Sequence, residues 1–220
     1  VISAKFAVSA ASASDFPQTG LPEIALVGRS NVGKSSLINA LVRKTVARTS
    51  GAPGKTRLAN YYQVESALPR LRAAESDSPR GSSPSHAGSF YFVDLPGYGY
   101  ARGGEDAAGE FERLSAAYFD LGGGSRRRIA GILHLVDARH PGLPQDEDAH
   151  AWLLRTSLPI AVIATKVDKL TRAERIRNLK ALEDAYDTIL LPESALDREG
   201  LDDIWKTIRG WTGNMRRTSP

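Results

Sequence analysis

The 220-residue chain contains no cysteine, which excludes disulfides and thiolate metal sites and agrees with a reducing compartment. No apolar run approaches the ~20 residues needed to span a bilayer, so no membrane partner is expected. Histidine is scarce. His86, His134, His140 and His150 are the four present, and they show no metal-ligand spacing, so no structural metal is expected. His134 lies in an apolar stretch and reads as a core histidine with its polar atoms satisfied. The start of the chain carries one early lysine, Lys5, and no long apolar stretch, so it does not resemble a secretory signal. Its Ala/Ser content lacks the arginine of a transit peptide. The expectation is a cytoplasmic protein.

A hydrophobic content of 41% supports a proper core, and the length suits one α/β domain with short terminal extensions. The net charge is +4 despite 25 acidic residues. The basic residues cluster at Arg43-Lys44, Arg48, Lys55, Arg57, Arg126-Arg127-Arg128 and Arg216-Arg217. Such clusters fit either a solvated surface or contact with RNA or another phosphate-rich partner.

The run Gly28-Arg29-Ser30-Asn31-Val32-Gly33-Lys34-Ser35 fits the G-x-x-x-x-G-K-[ST] phosphate-binding loop. Glu23-Ile24-Ala25-Leu26-Val27 before it reads as a buried strand, and 36–42 after it has apolar residues at helical spacing. A strand that delivers a glycine turn into a helix N-terminus aims backbone N–H groups and the helix dipole at one anion. Gly28 and Gly33 allow the tight wrap, Lys34 would reach the outer phosphates, and the Ser35 hydroxyl would ligate Mg²⁺.

Segments 90–94, 129–136 and 160–165 are continuous apolar runs, as strands covered on both faces should be. The stretch from Ile2 to Val8 alternates weakly, as a further strand would. Helical patterns at about 107–121, 146–156, 171–186 and 200–211 lie between the later runs, which predicts a doubly wound, mostly parallel α/β sheet with ligands at the carboxyl ends of its strands. Residues 66–89 hold seven serines and three prolines, too polar for a packed element, and read as a flexible loop between two sheet strands. The division expected is an extension over 1–22, a nucleotide-binding domain over 23–211 and a frayed tail over 212–220. Trp152 and Trp205 fall on apolar helix faces and read as core rather than base-stacking platforms, and Trp211, near the tail, is open between the two.

Four further motifs follow the phosphate loop in order. Asp94-Leu95-Pro96-Gly97 leaves an apolar strand. Alone, such an aspartate is usually a turn or helix cap; here it is placed to hold Mg²⁺ through water, with the Gly97 N–H near a terminal phosphate. Thr165-Lys166-Val167-Asp168 ends another strand. A carboxylate in the plane of a base accepts hydrogen bonds from guanine N1–H and its amine, donors that adenine lacks at those positions. Ser194-Ala195 would present a backbone N–H to the guanine carbonyl. Gly51-Ala52-Pro53-Gly54-Lys55-Thr56 is a turn whose Thr56 would be the second protein ligand to Mg²⁺. Together these give the five-motif order of a GTPase.

The strings Gly-Arg-Ser-Asn-Val-Gly-Lys-Ser-Ser-Leu-Ile-Asn from Gly28, Pro53-Gly54-Lys55-Thr56, Asp94-Leu95-Pro96-Gly97-Tyr98-Gly99-Tyr100-Ala101, Leu135-Val136-Asp137-Ala138-Arg139-His140 and Gly200-Leu201-Asp202-Asp203-Ile204-Trp205 resemble the EngB (YihA) family of TrmE-Era-like P-loop GTPases, over about residues 2 to 211. The resemblance implies a Ras-like domain with a six-stranded sheet and a bacterial, monomeric protein. It also implies Mg²⁺-dependent GTP binding with slow hydrolysis to GDP. The partner it implies is a pre-50S particle in large ribosomal subunit assembly, with a need for normal cell division and septation. The nucleotide contacts it implies are Gly28, Arg29, Ser30, Asn31, Val32, Gly33, Lys34 and Ser35; Gly54, Lys55, Thr56, Arg57 and Leu58; Asp94, Leu95, Pro96 and Gly97; Thr165, Lys166, Val167 and Asp168; and Glu193, Ser194 and Ala195. Two departures stand out. Gly51-Ala52 replaces the usual Ser/Thr-Thr, and 66–89 is longer than the usual hairpin.

Tyr98 occupies the position from which many GTPases orient the attacking water with glutamine, which predicts weak intrinsic turnover resting on Lys34, Mg²⁺ and backbone N–H groups. Asn31 resembles the asparagine of GTPases in which K⁺ takes the place of an arginine finger; bracing the loop is its other reading. Segments 44–60 and 97–109 are the expected nucleotide switches. A signalling switch acting through a protein partner at the division site is the rival function. A P-loop enzyme acting on a small molecule is disfavoured by Asp168 and by the lack of a second substrate domain.

Overall fold

A computed structural model describes residues 2–48, 58–66, 88–98, 113–119 and 128–217. In chain order the elements are β1 (Ile2–Ala10), β2 (Pro22–Gly28), α1 (Lys34–Val42), β3 (Ala59–Ser66), β4 (Ser89–Asp94), a helix α2 described over 113–119, β5 (Arg128–Asp137), α3 (Pro144–Leu154), β6 (Ile160–Thr165), α4 (Arg172–Ala185), β7 (Ile189–Pro192) and α5 (Leu201–Arg217). One sheet runs in the order β1-β3-β4-β2-β5-β6-β7. Five of the strands, from β4 to β7, are parallel, while β3 pairs antiparallel with both β4 and β1.

The central strands are buried at every position, so their side chains alternate between two packed faces rather than between core and water. Ile24 and Leu26 join Leu37, Ile38 and Leu41 of α1 and Ile204, Trp205 and Ile208 of α5 on one face. Ala25 and Val27 join Leu114 and Tyr118 of α2 and Leu153 of α3 on the other. Val136, Val162 and Ala164 pack beneath Leu182 of α4 and Tyr186 just after it. Trp205 stands edge-on to Phe90 at 6.1 Å and donates its indole N–H to Leu41 O at 3.2 Å. Trp211 lies over Gly131, where a Cβ would fall 2.2 Å from the ring.

Seven strands replace the six that the resemblance implied, because both edges of the sheet are filled. β7, four residues long, pairs with β6 on one side. On the other, β1 lies along β3, with Ala4 and Ala10 turned inward and Phe6 edge-on to Tyr62 at 5.9 Å. The following residues are also built in, since Phe16 packs on Tyr61 and Tyr118. At the other end the expected frayed tail from Thr212 is corrected. α5 continues to Arg217, and buried Thr212 donates its hydroxyl to Ile208 O at 2.9 Å. β3 and β4 flank the serine-rich stretch as expected, and residues 67–87 themselves lie outside the described residues.

Candidate functional site

β2, β4, β5 and β6 all end on the same edge of the sheet, and the loops leaving them converge there. From β2 the chain turns through Asn31, at φ 61°, and Gly33, at φ 121°, before α1 begins with Leu37 N–H donating to Gly33 O at 2.8 Å. Such values favour glycine, and asparagine is among the residues that tolerate them best. At Gly28 an added Cβ would meet Leu135 O of β5 at 2.7 Å, so only glycine lets the two strands approach this closely as the loop departs.

Lys34 is buried beneath the loop and donates to Gly28 O at 2.9 Å and Arg29 O at 3.2 Å. Burial pushes its ammonium below the usual lysine value, while the Asp94 carboxylate opposes that shift. Asp94, at the end of β4, is buried as well. Burial pushes it up, against the pull of Lys34 and of Ser35. The Ser35 hydroxyl donates to Asp94 Oδ2 at 2.7 Å. Among the described residues Asp94 Oδ1 has no hydrogen-bond partner, a costly state for a buried carboxylate oxygen. Two hard oxygens side by side, one of them unsatisfied, fit a small divalent cation such as Mg²⁺. Thr56, the other expected ligand, lies outside the described residues together with Gly54, Lys55 and Arg57, and Leu58 is exposed.

Leu95, Pro96 and Gly97 carry the chain from Asp94 back onto the phosphate loop. Leu95 N–H donates to Leu26 O at 3.3 Å and Ser30 N–H to Tyr98 O at 3.3 Å. Gly97 lies so close to Ser30 that a Cβ would fall 2.6 Å from its nitrogen.

The loop after β6 is fastened to the same structure. Thr165 donates its hydroxyl to Val32 O at 2.9 Å and Val136 O at 3.1 Å. Lys166, left-handed at φ 62°, reaches Asn31 O at 2.8 Å and Asp137 Oδ2 at 2.9 Å. Val167 is buried and its N–H donates to Glu193 O at 3.2 Å, so the β6 and β7 loops are joined. Asp168 has Lys169 Nζ at 3.2 Å. Burial pushes its carboxyl up, but Lys169 and Ser194 more than offset this and keep it ionised. Ser194 N–H is taken by Glu199 O at 3.2 Å, which leaves the adjacent Ala195 as the expected donor to a base carbonyl. Glu193 is buried, and its carboxyl is pushed up to about 7 by burial and by Asp168.

Some functional groups escaped the sequence reading. Asp137 ties Lys166 and Arg139 together, accepting from Arg139 Nε at 2.9 Å and from its backbone N–H at 3.1 Å. Burial pushes Asp137 up, but these bonds hold it well below the carboxylate range. Its signal was present: it ends an apolar strand, as Asp94 does. Asp146 gave no signal at all, yet the Arg29 side chain is engaged with it.

A phosphate loop with a serine–aspartate pair behind it would serve any P-loop nucleotidase. A Thr-Lys-x-Asp loop bonded directly to that phosphate loop narrows the class to the GTPases, on an α/β sheet of Ras-like type. Residues 23–166 match a family described as 50S ribosome-binding GTPase. A Symbiobacterium thermophilum protein named probable GTP-binding protein EngB is 42% identical, the match covering 97% of this chain and 99% of that one. A Limosilactobacillus reuteri protein of the same name is 37% identical over 91% and 92%. The chain belongs to the EngB family of GTP-binding proteins. Among solved structures, Era bound to MgGDPNP and a segment of 16S ribosomal RNA shares the fold, with TM-score 0.60 and 23% identity over 86% of this chain and 56% of that one. An S. thermophilus NFeoB mutant bound to GMPPNP gives 0.59 and 22% over 88% and 63%.

Proposed function

We propose that this GTPase binds Mg²⁺–GTP, hydrolyses it slowly, and in its GTP form associates with a precursor of the large ribosomal subunit, hydrolysis releasing it. The observation that carries the nucleotide part is the buried pair Lys34 and Asp94, with the Ser35 hydroxyl bonded to Asp94, beneath a loop of backbone donors. The ribosomal part is supported by the matched family's description and by the positive net charge. A requirement in cell division and septation, and a monomeric, cytoplasmic life, belong to the same reading.

In this reading the backbone N–H groups of Gly33, Lys34 and Ser35 receive phosphate oxygens, and Lys34 exchanges the carbonyls of Gly28 and Arg29 for the outer phosphates. Ser35 and Thr56 would hold Mg²⁺ directly and Asp94 through water; the cation supplies charge neutralisation between the outer phosphates. Gly97 offers its N–H to the γ-phosphate. Asp168 reads the N1–H and amine of guanine, and Ala195 donates to its carbonyl. Water attacks the γ-phosphorus in line, the bond to the bridging oxygen breaks, and GDP and phosphate leave. The Tyr98 hydroxyl is committed to Asp146 and His134, so it does not stand in for a water-orienting glutamine, which supports slow intrinsic turnover.

Sedimentation of extract through sucrose with GTP, GDP or a non-hydrolysable analogue tests the proposal. The protein should travel with large-subunit particles in GTP or the analogue and stay at the top in GDP. Migration independent of nucleotide would overturn the assembly role while leaving GTP binding intact.

A further inference from the structure

Asp146 lies in the first turn of α3 with only 1% of its surface exposed, a costly place for a carboxylate unless donors surround it. Two of its donors come from the loops that face the nucleotide. Arg29 Nε lies 3.1 Å from both carboxylate oxygens, and the Tyr98 hydroxyl donates to Oδ1 at 2.8 Å. Arg29 belongs to the phosphate loop, and Tyr98 directly follows Asp-x-x-Gly. One carboxylate on a third element therefore holds both motifs.

A second layer backs the first. His134 Nε2, on β5, is 2.8 Å from the Tyr98 hydroxyl. His150 of α3 stacks on His134 at 5.5 Å and 20°, with their Nδ1 atoms 3.3 Å apart. Tyr186, directly after α4, stands edge-on to both rings. One donor order satisfies this chain: His150 Nδ1–H to His134 Nδ1, His134 Nε2–H to the Tyr98 oxygen, and Tyr98 O–H to Asp146. It requires a neutral His134, and burial pushes both rings toward the neutral form.

We propose that Asp146 and Tyr98 are positioning residues for GTP hydrolysis: the Arg29–Asp146–Tyr98 latch clamps the end of Asp-x-x-Gly onto the phosphate loop and so fixes where the Gly97 N–H stands. The backbone carries the same register. Arg29 and Tyr98 form a parallel bridge, Ser30 N–H donates to Tyr98 O, and Gly97 abuts Ser30 without room for a Cβ. Displacing Tyr98 would shift the Gly97 N–H relative to the γ-phosphate, and small misplacements of a stabilising donor cost rate more than affinity. The inference rests on GTP hydrolysis at this site.

Tyr98→Phe removes one hydroxyl and keeps the ring, Asp146→Asn removes the charge and keeps the shape, and the double variant joins them. Single-turnover hydrolysis, GTP and GDP affinity and thermal midpoint are measured for all three beside the wild type. Each single variant should hydrolyse about ten-fold more slowly, with both affinities within about two-fold of wild type. The double variant should be no slower than the slower single, because the two groups act as one unit. Unchanged single-turnover rates overturn the latch. So do rate and affinity falling together in step with a lowered midpoint, which marks a purely structural role, and so do losses that multiply in the double variant. Wild-type GTP affinity, read in the same series, reports separately on the nucleotide site itself.

Discussion

His134 carries the clearest electrostatic consequence of any single residue. It is fully buried, and burial, reinforced by His150, pushes its imidazole from 6.5 down to about 3. Between those two values the unfolded chain binds a proton that the folded chain refuses, so folding stability falls as pH drops below about 6.5 and goes on falling toward 3. The groups facing His134 are Tyr98, His150 and Tyr186, with Asp146 one hydrogen bond further on. Asp146 is pushed up by burial and contributes with the opposite sign, so the wild type is best compared with His134→Gln. The stability difference between them should shrink from pH 7 to pH 4, read from urea midpoints; a constant difference would refute the assignment. The sequence alone shows His134 as a core histidine. Its partners were hidden, because Tyr98 comes from the loop after β4 and Asp146 and His150 from α3, both remote from β5 in sequence.

At the scale of the element, strands were more legible than helix ends. β4, β5 and β6 are continuous apolar runs bounded by polar residues, and their observed limits differ from the expected ones by a residue at most. α5 was read too short, because Gly210 and Gly213 break a pattern that nonetheless continues through Ile204, Ile208, Trp211 and Met215. Neither glycine is required by packing: a Cβ on either would have nothing within 4 Å. Gly210→Ala should therefore stabilise the protein by about 0.5–1 kcal/mol through lower unfolded-state entropy and better helix propensity. A higher midpoint in thermal or urea unfolding checks it, and a lower one would mean that residue 210 meets a neighbour. Trp211 was undecided in the sequence because its partner is the absence of a side chain, at Gly131.

For the molecule as a whole, the nucleotide site is a junction rather than a single loop. The phosphate loop leaves β2 and the Thr-Lys-x-Asp loop leaves β6, with β5 between them in the sheet. Thr165, Lys166 and Asp137 bind these parts into one unit. Four of the five motifs fall on described residues, and each was legible as a local string. Their mutual bonds were not, because they span up to 135 positions of sequence. Asn31 stands at the junction, its carbonyl held by Lys166 and its side chain exposed at the rim. If nucleotide binds as proposed, the exposed Asn31 amide oxygen would lie near the phosphates and suit a weakly hydrated monovalent cation, and we propose that K⁺ bound there speeds hydrolysis. Turnover should be faster in KCl than in NaCl at equal ionic strength, and the gap should close in Asn31→Ala; equal rates in the wild type would dismiss the cation.

The placement of β1 has a consequence for synthesis. β1 precedes the other described strands along the chain, yet its partner β3 begins only at Ala59, and β2, made soon after it, pairs with β4 and β5, not with β1. The opening strand therefore waits through some fifty further residues with its backbone donors and acceptors unpaired. β3 is therefore available to pair antiparallel with β1 before β5 is made, so along the path of translation the edge pair of the sheet is complete before its parallel centre.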